Sequence, residues 1–166
     1  GSGRRRRWAG LRQKWKLLGL FEVDQQHELY QLTSLMKEGL ATAGQGPPGE
    51  NQPAELSDQD YRSEVTHTHT VGAFAMTTFA GPVFASLRAS LGISQQEYFQ
   101  SLCWENCFLQ FISNSKSSAD FFLTNDKRFF LKTQKRREVR FLLDNLKTYV
   151  EHLRSYPHSL LVKFLG

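Results

Sequence analysis

Phe121-Phe122-Leu123-Thr124-Asn125-Asp126-Lys127-Arg128-Phe129-Phe130-Leu131-Lys132-Thr133, followed by Gln134-Lys135-Arg136-Arg137-Glu138-Val139-Arg140-Phe141-Leu142-Leu143, is the stretch that decides the fold. Residues 121–124 and 128–133 are apolar runs of strand length, and the Asn-Asp-Lys between them is turn chemistry, because Asn and Asp side chains bond their own backbone. Residues 108–113 supply a third run of the same kind. Beyond Thr133 the period changes: Val139, Leu142, Leu143, Leu146, Val150 and Leu153 are spaced for one helical face, which predicts a helix over 135–153. Three short strands joined by polar turns and closed by a helix predict an α+β fold, an antiparallel sheet with packed helices.

Upstream, Ser94 and Glu97 have the spacing of a capping box, in which each side chain bonds the other's free amide, so a helix carrying Tyr98, Phe99 and Leu102 starts there. Pro82 suits the first turn of a helix with Val83, Leu87 and Leu91 on one side, and Gly92 ends it. Residues 62–76 alternate and are rich in Val and Thr, which predicts a strand. Residues 43–60 hold Gly44, Gly46, Pro47, Pro48, Gly49 and Pro53, and Pro-Pro continues neither a helix nor a sheet, so this reads as a linker. Before it, Leu29, Leu32, Leu35, Met36 and Leu40 predict a helix over 27–41, with Gly39 and Gly44 weakening its end. Trp8, Leu11, Trp15 and Leu18 line one face of a basic amphipathic segment. The expected organisation is an arm and helix over 1–42, a linker over 43–60 and a folded domain over 61–166.

The 166 residues include thirteen phenylalanines, enough large apolar side chains for one core. A net charge of +5 and a pI near 9.4 imply attraction to polyanions, either an anionic membrane face or nucleic acid. No apolar run is long enough to span a bilayer. Two cysteines and no leader pattern point to a reducing, cytoplasmic setting. Cys103 and Cys107 with His67 and His69 do not have zinc-finger spacing, so no metal site is expected.

Two blocks resemble a known family. Phe79-Ala80-Gly81-Pro82-Val83-Phe84 with Leu91-Gly92-Ile93-Ser94-Gln95-Gln96-Glu97-Tyr98, and Phe129-Phe130-Leu131-Lys132-Thr133 with Glu138-Val139-Arg140-Phe141-Leu142, are similar to blocks of the phosphatidylinositol phosphate kinases, in the family's order. The similarity is to the phosphatidylinositol 4-phosphate 5-kinases, specifically a divergent relative of the type I enzymes. It implies the small, amino-terminal lobe of such a kinase, ATP with magnesium as cofactors, and Leu160 to Gly166 as a following strand.

By that resemblance Lys132 is the lysine held against the nucleotide phosphates and Glu138 its orienting partner. Read alone, Lys132 is a strand-end charge and Glu138 a solvent-facing partner of Lys135 or Arg137. The family's phosphate loop is glycine-rich so that backbone amides approach the phosphates. Here Ser115 and Ser118 stand at glycine positions, Lys116 lies between them, and Asp120 takes a position that is apolar in relatives. A carboxylate near a triphosphate is repulsive, so the nucleotide site is expected to be degenerate. The carboxylates for magnesium and for the attacking hydroxyl belong, by resemblance, to a second lobe, so no catalytic residue is expected in this chain. Asp58, Asp60 and Glu64 read as linker and strand-edge charges.

Lipid contact is expected from Arg4, Arg5, Arg6, Arg7, Trp8, Arg12, Lys14, Trp15 and Lys16, where cations meet anionic headgroups and the indoles sit at the interface. A second basic set, Lys127, Arg128, Lys135, Arg136, Arg137 and Arg140, extends it; Lys135, Arg136 and Arg137 are its densest part. The functional expectation is a peripheral membrane scaffold of the lipid-kinase family that binds phosphoinositides and type I phosphatidylinositol 4-phosphate 5-kinases, as a homo- or heterodimer meeting through the surface around residues 82–98. Two alternatives stand beside it. One is a fragment or short isoform of an ATP-dependent phosphatidylinositol 4-phosphate 5-kinase. The other is a basic nucleic-acid-binding module, which the absence of any helix-turn-helix, RNA-recognition or zinc-finger pattern disfavours.

Overall fold

A computed structural model of the chain describes residues 20–44, 55–103, 105–111 and 119–166. Its elements are β1 (Leu20–Glu22), α1 (Tyr30–Gly44), α2 (Asp58–Tyr61), β2 (Glu64–His69), β3 (Phe74–Phe79), α3 (Gly81–Ser90), α4 (Gln95–Cys103), β4 (Leu109–Phe111), β5 (Phe121–Leu123), β6 (Phe130–Lys132), α5 (Arg136–Asp144) and α6 (Leu146–Ser155). The fold is mixed helix and antiparallel sheet, as the sequence pattern predicts. Contacts divide it into two compact units, residues 1–34 with 104–133 and residues 35–103 with 134–166.

The first unit is built on a four-stranded antiparallel sheet in the order β1-β4-β5-β6. The three strands expected over 108–133 are all present, in register Leu109↔Leu123, Gln110↔Phe122 and Phe122↔Leu131. Phe108, Leu109 and Phe122 are essentially inaccessible to water, and so is Val23, just past β1. The β5–β6 turn is knotted by one hydroxyl: Thr124 Oγ1 donates to Asp126 Oδ1 at 2.7 Å and accepts from the Phe129 amide at 3.1 Å. Lys127 adopts φ +62° in this turn. Strand β1 was not expected, since it is specified by its partner β4 rather than by its own three residues. His27 supports the same edge: Nδ1 accepts from the Leu29 amide, so Nε2 donates to Gln110 Oε1 at 2.8 Å.

The second unit is centred on α3 and α6. Ala80, Val83, Phe84, Leu87, Leu146, Val150 and Leu153 form its buried cluster, with Leu56, Tyr61, Leu91, Leu143, Tyr149 and Phe164 packed around it. Pro82 lies in the first turn of α3, Gly92 follows it at φ +77°, and the capping box forms, with Glu97 N to Ser94 Oγ at 3.1 Å and Ser94 N to Glu97 Oε2 at 3.3 Å. Leu56 and the short helix α2 lie within the stretch read as linker; Ser57 N donates to Asp60 Oδ2 at 2.7 Å, and Asp58 meets Lys147 at 3.5 Å in an exposed ion pair.

Three elements differ from expectation. Residues 62–76 do not form one strand: β2 and β3 make a hairpin, paired from Glu64↔Phe79 to His69↔Phe74, that reverses through Gly72 at φ +90° and Ala73 at φ +50°. The helix over 135–153 is broken at Asn145, whose backbone leaves the helical region at φ −106° and ψ 9°, while the Phe141 carbonyl accepts both its amide at 3.2 Å and its Nδ2 at 2.8 Å. Residues 160–166 are not a strand and pair with none among the described residues. The α1 glycines also have a role the sequence did not suggest. A Cβ on Gly39 would overlap Met76 Sδ, and one on Gly44 would lie 2.7 Å from the Phe99 ring, so both permit close approach rather than weakening the helix.

Candidate functional site

Lys132 ends β6 with its side chain exposed, and its ammonium lies 5.5 Å from the centre of the Phe121 ring on the neighbouring strand. The ladder places it there, because Phe121↔Lys132 is the last pair of β5–β6. Pairing continues one step further: Thr133 N donates to the Asp120 carbonyl at 3.0 Å, and Asp120 N donates to Thr133 Oγ1 at 2.8 Å. Asp120 is therefore held by its backbone at the base of the segment that precedes β5. Ser115, Lys116 and Ser118, the substituted glycine positions, lie outside the described residues.

Glu138 belongs to the second unit. Its Oε2 accepts from the Lys135 amide at 3.0 Å, which caps the start of α5. Lys135, Arg136, Arg137 and Arg140 are exposed on or beside this helix, and Phe141 is 71% exposed among them. Lys127 and Arg128 are exposed in the β5–β6 turn of the first unit, with the Arg128 guanidinium 5.3 Å from the Phe129 ring centre. The arm carrying Arg4, Arg5, Arg6, Arg7, Trp8, Arg12, Lys14, Trp15 and Lys16 lies outside the described residues.

For a nucleotide and its magnesium, the described residues offer one fitting piece and lack another. Lys132 is an accessible cation at a strand end, suited to a phosphate oxygen. No cluster of three or more His, Cys, Asp or Glu side chains able to hold a metal ion occurs among the described residues. No helix among them is long and apolar enough to cross a membrane.

Sequence reasoning passed over Arg88. It is 6% exposed, donating from Nη1 to the Leu165 carbonyl at 2.7 Å and from Nη2 to Gln95 Oε1 at 3.2 Å, with its guanidinium 4.2 Å from the Tyr98 ring centre. These partners are all neutral. Burial accordingly lowers the Arg88 pKa from its ordinary value, while Tyr98 works in the opposite sense. Burial likewise raises the Tyr98 pKa, with Arg88 opposing. The signal available in the sequence was an arginine two residues before the end of a helix whose Val83, Phe84 and Leu87 are core. Those three side chains face inward, so a partner meeting the surface around residues 82–98 would touch the remaining side chains of α3 and α4.

Cys103 is half-buried, its Sγ directed at the Lys37 carbonyl at 3.8 Å, and burial raises its pKa above the usual 9.0. It stays a thiol at neutral pH. Labelling by a thiol reagent, followed at each cysteine by mass spectrometry, is expected to keep rising at Cys103 as pH climbs through 9, without levelling off below it. A plateau already reached by pH 8 would contradict the burial.

The family model described as Phosphatidylinositol-4-phosphate 5-Kinase matches residues 102–166. Over all 166 residues the chain is 46% identical to "Phosphatidylinositol 4-phosphate 5-kinase-like protein 1" of Mus musculus, of which it covers 42%. It is 46% identical over 156 residues to the protein of the same name from Homo sapiens, across 94% of this chain and 39% of that one. "Phosphatidylinositol 4-phosphate 5-kinase 3" of Arabidopsis thaliana is 36% identical over 104 residues, 63% of this chain and 15% of the plant protein. The chain thus spans about two fifths of the length of the mouse and human relatives.

Proposed function

The chain belongs to the phosphatidylinositol phosphate kinase family, and on that premise we propose that it is a lipid-kinase-family scaffold acting at anionic membranes. It binds phosphoinositide headgroups, associates with type I phosphatidylinositol 4-phosphate 5-kinases, and so localises synthesis of phosphatidylinositol 4,5-bisphosphate. The observation that carries this reading is the start of α5. Lys135 is its N-cap, and Arg136 and Arg137 are its first two residues. Cations there oppose the helix dipole, whose positive end favours carboxylates or phosphates, so these residues cost the helix stability rather than supplying it. Only Glu138 offsets them locally. A phosphate at this helix start would meet both the dipole and two guanidinium groups able to bind it through paired hydrogen bonds.

A second reading rests on coverage. Since the chain spans about two fifths of its mouse and human relatives, it is equally suited to be part of an ATP-dependent phosphatidylinositol 4-phosphate 5-kinase, with Lys132 on the nucleotide phosphates and the metal ligands supplied by other residues. In either case the basic surface meets the same lipid.

Binding to vesicles containing phosphatidylinositol 4-phosphate should exceed binding to phosphatidylserine vesicles of equal total charge, and the preference should persist near physiological salt. Equal binding that salt abolishes would reduce the basic residues to generic charge and remove the headgroup site. Retention on RNA or DNA with a steep salt slope and no lipid preference would favour the nucleic-acid alternative instead.

A further inference from the structure

After α6 the chain turns back, and residues 160–166 run without ladder partners among the described residues. Leu160, Leu161 and Val162 are 102%, 54% and 73% exposed, so this stretch gains little from burial. Local bonds tie it to Ser159, whose hydroxyl accepts from the Leu161 amide at 3.3 Å and whose carbonyl accepts from Lys163 Nζ at 3.2 Å, and one side chain each from α3 and α6 fastens it to the unit. The Tyr149 hydroxyl donates to the Val162 carbonyl and accepts from the Phe164 amide at 2.8 Å, and Arg88 donates to the Leu165 carbonyl at 2.7 Å. Between the two fastenings Phe164 packs against the buried cluster, its ring 6.1 Å from that of Tyr149. At the far side, a Cβ on Gly166 would lie 2.7 Å from the Tyr98 hydroxyl, so the backbone passes close over the aromatic ring beneath Arg88.

We propose that residues 160–166 form a strap that opens and closes over the second unit as a separate element, pinned by Tyr149 and Arg88 and seated by Phe164. Segments with few buried contacts and side-chain-dependent hydrogen bonds open at lower free energy than the core they cover. The strap has one seated side chain, while α3 and α6 beneath it contribute Val83, Leu87, Leu146, Val150 and Leu153, all fully buried. Opening uncovers the apolar seat of Phe164 and, beside it, a guanidinium whose described partners are otherwise neutral. The turn leading into the strap does not have to open with it: Ser159 is held by its own contacts, with its amide on the Tyr156 carbonyl at 2.9 Å and its hydroxyl on His152 Nε2 at 3.0 Å.

Hydrogen exchange followed by mass spectrometry on the whole chain tests this. Tyr149→Phe deletes only the hydroxyl, removing one donated and one accepted hydrogen bond at about 1 kcal/mol each, or roughly 30-fold together. Exchange at the Phe164 amide, the strap amide bonded to Tyr149, should accelerate by about 10- to 100-fold while peptides from α3 and α6 change less than twofold. Arg88→Lys, which keeps a cation but loses the planar fork, should act in the same direction at the Leu165 side of the strap. Unchanged exchange in residues 160–166 of Tyr149→Phe would overturn the pin. Equal acceleration across the strap, α3 and α6 would show that the segment opens only when the unit unfolds, and would overturn its independence.

Discussion

Exchanging Lys135, Arg136 and Arg137 together for glutamine will weaken binding to phosphatidylinositol 4-phosphate vesicles on the order of 100-fold without lowering the stability of the chain. The first half follows from the roughly 1 kcal/mol that each basic residue contributes near an anionic surface, summed over three positions, at 1.4 kcal/mol per decade of affinity. The second half follows from position. Lys135 caps α5 and the two arginines open it, where a positive side chain faces the positive end of the helix dipole. Glutamine is nearly as good a helix former as arginine, and the Lys135 amide that Glu138 accepts from belongs to the backbone, so the cap survives the exchange. Vesicle co-sedimentation paired with urea unfolding separates the two effects. A triple variant that binds as tightly as the parent would remove α5 from the lipid surface. One that loses binding and stability together would mean that the cations serve the fold.

The second large effect is expected from Phe122→Ala. Phe122 sits at the middle of β5, paired with Gln110 on one side and Leu131 on the other, and none of its surface reaches water. Truncation leaves a cavity in a sheet of three-residue strands with little freedom to collapse around it, and costs about 3–5 kcal/mol. Such a loss is a large fraction of a typical domain's stability, so urea unfolding should show a midpoint strongly displaced or a first unit already unfolded. An exposed phenylalanine gives the control: Phe130→Ala, at a position 64% exposed on β6, should cost far less. Equal losses at the two positions would mean that the sheet face carrying Phe122 is not the buried one.

How much of this was legible in the sequence depended on whether the determining chemistry was local. The Ser94–Glu97 box and the Asn-Asp-Lys turn are short-range arrangements, and both form. The strands of 108–133 were legible because apolar runs alternate with turn residues. The β2–β3 hairpin was not, because its turn uses Ala73 at positive φ, a conformation alanine does not advertise, and only Gly72 marked the place. The break at Asn145 was hidden because the core spacing runs straight through it; what interrupts the helix is one residue's backbone at φ −106° and ψ 9°, with its side-chain amide bonded to the Phe141 carbonyl. Residues 160–166 have strand-like composition, but a strand needs a neighbour, and among the described residues they have none. Of the site, Lys132 and the cations of α5 could be placed by pattern and resemblance, while Arg88 could not, since its burial is a product of Tyr98, Gln95 and Leu165 converging from outside its own helix.

The break at Asn145 also divides the evolutionary freedom of the chain. On its far side, Leu146, Val150 and Leu153 of α6 are fully buried, so almost any exchange there must be matched by neighbours. On its near side α5 has no fully buried residue. A single continuous helix would have tied the two halves to one pitch, so that altering the outward pattern of one would disturb the inward pattern of the other. Divided as it is, the basic segment is able to acquire, lose or rearrange charges at little cost to the core.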